Sequence, residues 1–218
     1  MKILWGLQNF FYLLFLNLID LFFYWRFQGL WKLKLGLFQL YFFSPVFSLI
    51  KKESQGFLIP QEELTYGEAP FFTLKQIFQS VGLTAQDHLL DLGSGRGVVV
   101  LFANLFLGAK ASGIEILPGL VLRSRQLAKF LKVEEKVDFI QADLREAVFP
   151  QSTVIFIAGT SFTPETIKIL EAKLVNLPPG TRIVSLSFPL QNKNLTLLKK
   201  ERLYFSWGKG TLFYQQVI

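Results

Sequence analysis

Residue types that support redox or metal chemistry are absent or scarce in this sequence of 218 residues. Cysteine is missing, which excludes disulfide bonds and thiolate metal ligands, and a single histidine, His88, argues against a metal cluster. Long basic runs are also lacking, because the formal net charge of +7 is spread over short groups such as Lys51-Lys52. This distribution favours anionic membrane lipid as a partner, and we expect no metal and no nucleic acid to be bound.

Aromatic residues are concentrated at the N-terminus, where the first fifty positions hold 16 of the 34. Residues 3–25 are mostly apolar, and Asp20 is their only formal charge. At a rise of about 1.5 Å per residue, this length approaches the thickness of a bilayer's hydrocarbon core. A charge near the membrane centre is costly, but Asp20 is close enough to the end of the run to reach the interface. The run predicts a helix that spans a membrane or lies along it.

A second apolar stretch, residues 27–50, carries Lys32 and Lys34 and is interrupted at Ser44-Pro45. It is typical of a segment in the headgroup region whose lysines reach toward phosphates. We therefore predict that residues 1–54 form a membrane-associated helical segment. The alternative is a helical hairpin packed on the rest of the chain or on a partner. Because basic residues follow the first run, we expect the remaining domain on the cytoplasmic side.

Residues 55–218 alternate between strand and helix patterns, which predicts a parallel α/β sheet covered on both faces. The expected strands are 88–92, 111–116, 137–141, 154–157 and 182–187, and the expected helices are 70–81, 98–106, 119–132 and 164–176. The last part of the chain predicts an antiparallel hairpin with its turn at residues 208–210. The expected fold is Rossmann-like and mostly parallel, with this hairpin closing a seven-stranded sheet.

A glycine-rich turn, Asp91-Leu92-Gly93-Ser94-Gly95-Arg96-Gly97, joins the first strand to a helix. Glycines 93, 95 and 97 allow a tight turn and a close approach of the backbone to a ligand. Such a turn lies at the carboxyl end of the sheet, where open α/β folds bind ligands. The carboxylate of Asp91 disfavours a pyrophosphate there and suits the cationic aminopropionate and sulfonium of S-adenosylmethionine.

Two further acids follow the next two strands. Glu115 is placed to accept both hydroxyls of a ribose, and Asp143, which Leu144 follows, is placed to accept the amino group of adenine. Three acids at successive strand ends predict S-adenosylmethionine as the cofactor, with Leu144 at the same site. A nicotinamide cofactor is the competing interpretation, since Glu115 suits its ribose too.

The segment from residue 66 to residue 188 resembles the seven-stranded, non-SET lysine methyltransferases related to the telomeric-silencing histone methyltransferase. It is also similar to the short, membrane-anchored mitochondrial lysine methyltransferases. The matching segments are Thr65-Tyr66-Gly67-Glu68-Ala69-Pro70, the glycine-rich turn, Gly113-Ile114-Glu115, Ala142-Asp143-Leu144, Ser152-Thr153-Val154-Ile155-Phe156-Ile157 and Gly180-Thr181-Arg182-Ile183-Val184-Ser185. Among these, the Tyr-Gly-Glu segment is more specific than the turn.

The resemblance implies that Glu68 contacts the methionine part of the cofactor and that Tyr66 borders the channel for the acceptor amine. The sequence departs from the histone enzymes after residue 157, where they place an asparagine-bearing segment. Here the chain reads Ala158-Gly159-Thr160-Ser161-Phe162, so Thr160 is a candidate hydrogen-bonding group and Phe162 a candidate wall of the channel. The long basic tail of the histone enzyme is also missing.

These patterns predict a methyltransferase acting on lysine of a membrane or membrane-adjacent protein. A methyltransferase for a lipophilic small molecule, such as a quinone or lipid, is a second hypothesis. A cofactor-binding membrane scaffold without catalysis is a third.

Overall fold

The computed structural model of this chain describes residues 2–56, Glu63 and residues 67–218. Its helices are α1 Lys2–Arg26, α2 Gln28–Tyr41, α3 Val46–Glu53 with a 3-10 turn Ser54–Gly56, α4 Phe71–Val81, α5 Val98–Leu107, α6 Pro118–Leu131 and α7 Pro164–Leu174. Its strands are β1 His88–Leu92, β2 Lys110–Glu115, β3 Val137–Gln141, β4 Val154–Ile157, β5 Arg182–Leu186, β6 Leu195–Phe205 and β7 Gly208–Val217. The helices and parallel strands expected between residues 70 and 187 are therefore confirmed within about two residues.

The strands form one seven-stranded sheet in the order β3-β2-β1-β4-β5-β7-β6. Strands β1 to β5 are parallel, and β7 runs antiparallel to both β5 and β6. Both neighbours of β1 meet it at Asp91, which is in register with Gly113 of β2 and Phe156 of β4. This arrangement confirms the Rossmann-like class and the closing hairpin.

The hairpin differs from the prediction in its turn and in its first strand. Strand β6 ends at Phe205 and β7 begins at Gly208, so the turn is Ser206-Trp207 and not residues 208–210. Gly210 lies inside β7, where an added Cβ would come within 3 Å of Leu186 and Phe205. The glycine is thus required by close packing within a strand, which the sequence pattern does not distinguish from a turn. Strand β6 also starts at Leu195, because an exposed edge strand lacks the alternation of buried residues that signals a strand.

Helices cover both faces of the sheet, as the apolar strands require. On one face Leu89 packs in a large core with Phe78, Phe102 and Leu127 from α4, α5 and α6. On the other face Leu90 packs in a smaller core to which α7 contributes Leu170 and Leu174. Alternate residues of β1 therefore point into different cores, and the carboxyl end of β1 is held between them.

The N-terminal helices pack on this domain. Five buried side chains of the N-terminal segment belong to the larger core: Leu30, Leu33, Leu37, Tyr41 and Val46. The buried Asp20 of α1 accepts hydrogen bonds from the backbone N–H groups of Phe71 and Phe72 at the start of α4. For one face of these helices the structure thus matches the alternative of packing on the rest of the chain.

The opposite face of the N-terminal helices is apolar and exposed. We call it the aromatic face; its members are Phe11, Phe15, Leu18, Phe22, Trp25, Trp31, Leu35, Phe38, Phe42, Phe43 and Phe47. Among the described residues no single helix has both the length and the apolar character to cross a membrane. Helix α2 and the α3 segment up to Gly56 would together pass on length and composition, with a bend of 53° between them. Membrane association of residues 1–54 stays a prediction.

Candidate active site

A cavity of about 390 Å³ lies at the carboxyl ends of β1, β2 and β4, within the size range of small-molecule sites. Strand order reverses at β1, since the chain continues to β2 on one side and to β4 on the other. This is the position at which open α/β sheets bind ligands. Nine of the predicted site residues line the cavity: Glu68, Asp91, Gly93, Gly95, Glu115, Asp143, Leu144, Thr160 and Phe162. Tyr66 falls outside the described residues.

The glycine-rich turn adopts backbone conformations that only glycine adopts readily. Gly93, Gly95 and Gly97 have φ angles of +85°, +52° and +73°. The N–H groups of Gly93 and Ser94 both donate to the carbonyl of Ile114, which fixes the turn against the end of β2. Gly97 is not among the lining residues, because its Cα faces Phe139, whose ring an added Cβ would approach to 2.6 Å. Gly97 therefore shapes the turn from behind the cavity.

Glu115, at the end of β2, ties this turn to the neighbouring strand. One carboxylate oxygen accepts the N–H of Gly95 at 2.9 Å, and the other accepts the N–H groups of Ile116 and Leu117 at 2.9 and 3.0 Å. Burial raises the pKa of Glu115, while these three hydrogen bonds oppose the rise. The carboxylate is thus held rigidly at the cavity.

Asp91 is 2% exposed and lies at the carboxyl end of β1. Burial, together with the nearby charge of Glu115, raises the pKa of Asp91 to about 8. The buried hydroxyl of Ser94, which also lines the cavity, has no hydrogen-bond partner within the described part of the chain. Two buried acids beside an unsatisfied hydroxyl suit a ligand that carries a cation and hydroxyl groups, and they disfavour a phosphate.

Asp143 follows β3 and forms an ion pair with Arg145 at 2.6 Å. Hydrogen bonding from Arg145 holds the pKa of Asp143 below its usual range. Lys173 of α7 donates to the carbonyls of Leu144 and Ala147, so the loop that carries Asp143 is fixed from the other side. The sequence reasoning missed Arg145, although its spacing of two residues from an acid in a short loop is a usable signal.

Glu68 is held by an arginine and by the hairpin. Nε of Arg96 donates to Oε1 of Glu68 at 2.8 Å, and both residues line the cavity. The backbone N–H of Glu68 donates to the hydroxyl of Ser206, and the N–H of Ser206 donates to the carbonyl of Glu68. The role of Arg96 was missed, because a variable position between two glycines gives no indication of the direction of its side chain.

Two aromatic rings line the cavity next to the loops that follow β4 and β6. Phe162 packs over Gly159, where a Cβ would overlap its ring, and lies 3.6 Å from the position of a Cβ on Gly93. Trp207 packs in the same way against Gly67 and stacks on Phe205 with a centroid distance of 4.9 Å. The sequence analysis missed Trp207, because it placed the hairpin turn two residues too late.

Glu63 and Ser187 also line the cavity and were not predicted. Glu63 accepts the N–H of Thr163 at 2.7 Å, at the start of α7. Ser187, directly after β5, has a φ angle of +76°, which is uncommon for a residue with a side chain and tends to occur at functional sites. Neither residue belongs to a sequence pattern that would have distinguished it.

Comparison with known proteins agrees with this geometry. The ANTKMT methyltransferase domain matches residues 91–196. The histone-lysine N-methyltransferase, H3 lysine-79 specific, of Emericella nidulans is 31% identical over 65% of this chain. The ATP synthase lysine N-methyltransferase of Mus musculus is 35% identical over 46% of this chain. The chain covers only 33% and 40% of the lengths of these two relatives.

Solved structures support the same grouping. An RNA methyltransferase from Salinibacter ruber, in complex with S-adenosyl-L-homocysteine, is 31% identical with a TM-score of 0.59, and the match covers 68% of this chain and 92% of that one. TrmN from Thermus thermophilus, at 15% identity, has a TM-score of 0.63 over 72% of this chain and 52% of its own, and so shows the shared fold alone. The strand order, the glycine-rich turn and these matches together show that the chain belongs to the seven-stranded S-adenosylmethionine-dependent methyltransferases.

Proposed function

We propose that this protein transfers a methyl group from S-adenosylmethionine to a lysine side chain of a protein at or near a membrane. The observation that carries the proposal is the convergence of Asp91, Glu115 and Asp143 on one cavity. Relatives described as lysine N-methyltransferases, in the histone and the ATP synthase groups, support lysine as the acceptor.

The cavity residues fit the cofactor's parts by their chemistry. Asp91 and Glu68 are anionic groups for the aminopropionate end, and the unsatisfied hydroxyl of Ser94 lies beside Asp91 in the glycine-rich turn. Glu115 would accept ribose hydroxyls, and Asp143 with Leu144 would hold the adenine. Gly93 and Gly95 leave the backbone open to close approach. When bound, the cofactor supplies a methyl group activated by a sulfonium.

The chain's own contribution to transfer is to position and desolvate the acceptor. A lysine has an unperturbed pKa of about 10.4 and must lose its proton before it can attack. Phe162 and Trp207, with Tyr66 expected nearby, would surround the amine with apolar surface, which disfavours its charged form. The hydroxyl of Thr160 would accept a hydrogen bond from the neutral amine. Holding the two reactants in line supplies much of the acceleration.

The aromatic face supports an acceptor at the membrane, with the catalytic domain on the cytoplasmic side. Exposed aromatic side chains in such number are unusual unless a lipid or protein surface covers them. Tyr12 of α1 donates its hydroxyl to the carbonyl of Phe205, which stacks on Trp207. The helix that carries part of the aromatic face is therefore joined directly to the proposed acceptor wall.

The test is methylation of membranes from a strain that lacks the gene, using purified full-length protein in detergent and methyl-labelled S-adenosylmethionine. Protein, lipid and RNA fractions are then separated, and the labelled protein is hydrolysed to identify the modified residue. We expect methyl-lysine in one or a few protein bands and no label with Glu115→Ala, the control for cofactor binding.

Label in the lipid fraction would contradict lysine as acceptor and favour methylation of a lipophilic small molecule. Label in RNA would instead extend the similarity to the Salinibacter ruber enzyme to its acceptor. Intact cofactor binding with no label in any fraction would favour a scaffold without catalysis.

A further inference from the structure

The N-terminal helices contribute side chains beside the cofactor cavity as well as an exposed apolar surface. Tyr41, the last residue of α2, is 7% exposed, and its ring lies between the guanidinium groups of Arg96 and Arg123. We propose that Tyr41 is a positioning residue of the cofactor site, acting through Arg96 on Glu68, and that α2 is thereby an integral part of that site. This inference rests on the proposed function only in taking the cavity to be the cofactor site.

The contact between Tyr41 and Arg96 restrains a side chain that would otherwise be mobile. The guanidinium carbon of Arg96 lies 5.0 Å from the ring centroid of Tyr41, while its Nε donates to Glu68 at 2.8 Å. A planar guanidinium can stack on a ring with its face and bind a carboxylate with its edge at the same time. Because Arg96 sits inside the glycine-rich turn, its backbone is also fixed. Glu68 is thus held at the cavity by a group that Tyr41 orients.

The ring of Tyr41 is itself held from its other side. The guanidinium carbon of Arg123, on α6, lies 4.8 Å from the same centroid, and its Nη1 donates to the carbonyl of Ser44 at 2.9 Å. The hydroxyl of Tyr41 is buried and makes no hydrogen bond within the described part of the chain. Burial raises the pKa of Tyr41 to about 12, so the side chain stays neutral at ordinary pH. The aromatic ring, rather than the hydroxyl, is therefore the part that matters.

A second residue of α2 approaches Glu68 as well. Lys34 lines a small cavity of about 160 Å³ together with Asp20 and Glu68. Burial lowers the pKa of Lys34, while the charges of Asp20 and Glu68 oppose this effect. Charges of alternating sign therefore run from α1 through α2 to the cavity, in the order Asp20, Lys34, Glu68 and Arg96. This arrangement is expected where the helices help to organise the site.

The experiment measures binding of S-adenosylhomocysteine to the full chain in detergent by isothermal titration, with the melting temperature recorded for every variant. Loss of the ring in Tyr41→Leu should weaken binding about tenfold, whereas Tyr41→Phe should stay within about twofold of the parent. Leu33→Ala is the structural control: it removes a fully buried side chain of α2 that lines neither cavity. It should lower the melting temperature while leaving the affinity unchanged.

Action through Arg96 predicts non-additive effects. In an Arg96→Met background, Tyr41→Leu should cause no further loss of affinity, because the group it orients is already absent. Multiplying effects would overturn the proposal, as would a folded Tyr41→Leu variant with the parent affinity or an equal loss in Tyr41→Phe. If Tyr41→Leu does not fold, Arg123→Met removes only the outer restraint, and unchanged affinity there would equally contradict the proposal. Absence of binding by the parent chain would instead refute the cofactor assignment.

Discussion

Asp91 and Glu115 are buried acids on adjacent strands, and their proximity is electrostatically unfavourable without a ligand. Glu115 offsets part of this cost with three backbone hydrogen bonds, and Asp91 offsets it by a raised pKa. Acids with strongly perturbed pKa values in a cavity are characteristic of functional sites. At this scale the site is prepared for a cationic ligand at the expense of stability in its absence.

Replacement of Asp91 by asparagine should stabilise the ligand-free protein as pH rises. The pKa of Asp91 is about 8 when folded and 3.8 in the unfolded reference, so the folded state binds more protons between these values. Stability of the parent therefore falls across this pH window and levels off above it. The excess melting temperature of Asp91→Asn over the parent should grow from pH 4 to pH 8 and then stay constant. Parallel curves of melting temperature against pH would contradict the assignment.

The same variant should lose affinity for the cofactor. An ionised Asp91 favours a cationic ligand, so binding of S-adenosylhomocysteine by the parent should strengthen as pH rises toward about 8. In Asp91→Asn the affinity should be low and nearly independent of pH in that range. Isothermal titration at several pH values measures both effects.

Trp207 should matter for turnover more than for cofactor binding. Trp207→Ala removes one wall of the proposed acceptor channel, and we expect kcat/KM to fall roughly 10- to 100-fold, because small errors in acceptor position are costly. The affinity for S-adenosylhomocysteine should change little. Tyr204→Ala is the matched control, since this exposed tyrosine of β6 does not line the cavity. Tyr66→Phe is likewise expected to affect turnover more than binding. Equal losses in the Trp207 and Tyr204 variants would contradict the channel.

Two acidic residues connect the N-terminal helices to helices of the catalytic domain. Asp20 and Glu53 are the only acids among the first 60 residues of the sequence. Asp20 accepts two backbone N–H groups at the start of α4, and Glu53 accepts the N–H of Gly119 at the start of α6. The first turn of a helix has unsatisfied N–H groups and a partial positive charge, both of which a carboxylate stabilises. These contacts explain a buried charge in an otherwise apolar helix.

Loss of either contact should destabilise the chain. Asp20→Asn keeps the size of the side chain but leaves it one oxygen for two donors, so we expect the free energy of unfolding to fall by about 1–2 kcal/mol. Glu53→Gln should have a smaller effect of the same sign. Glu134→Gln, on the exposed loop before β3, serves as the control. Denaturant titration in detergent measures the differences, and an Asp20 variant as stable as the control would refute the docking role.

On the scale of the whole molecule, an exposed aromatic face lies on the outside of helices whose inner face belongs to the core. The full chain should bind vesicles that contain anionic lipid. The combined variant Phe15→Ser, Phe22→Ser and Phe38→Ser should lower the partition coefficient roughly 100-fold, because each buried aromatic side chain contributes about 1.5–3 kcal/mol. All three side chains are more than half exposed, so the melting temperature should stay the same.

Vesicle flotation measures this partition. The control is Leu122→Ser with Val148→Ser, two exposed apolar residues of the catalytic domain. Equal flotation of the triple variant and this control would show that the aromatic face does not contact lipid.

The sequence by itself determined the order of the helices and parallel strands, since buried runs and glycine punctuation are local signals. It also determined that Asp91, Glu115 and Asp143 meet, because parallel strands bring their carboxyl ends to one edge. Only the tertiary structure decided which side chains complete the site. Arg96, Arg145 and Trp207 reach the cavity through side-chain directions and a hairpin turn that local patterns leave open. The docking of Asp20 and Tyr41 joins positions 51 and 55 residues apart in the sequence, and such pairings depend on packing between elements.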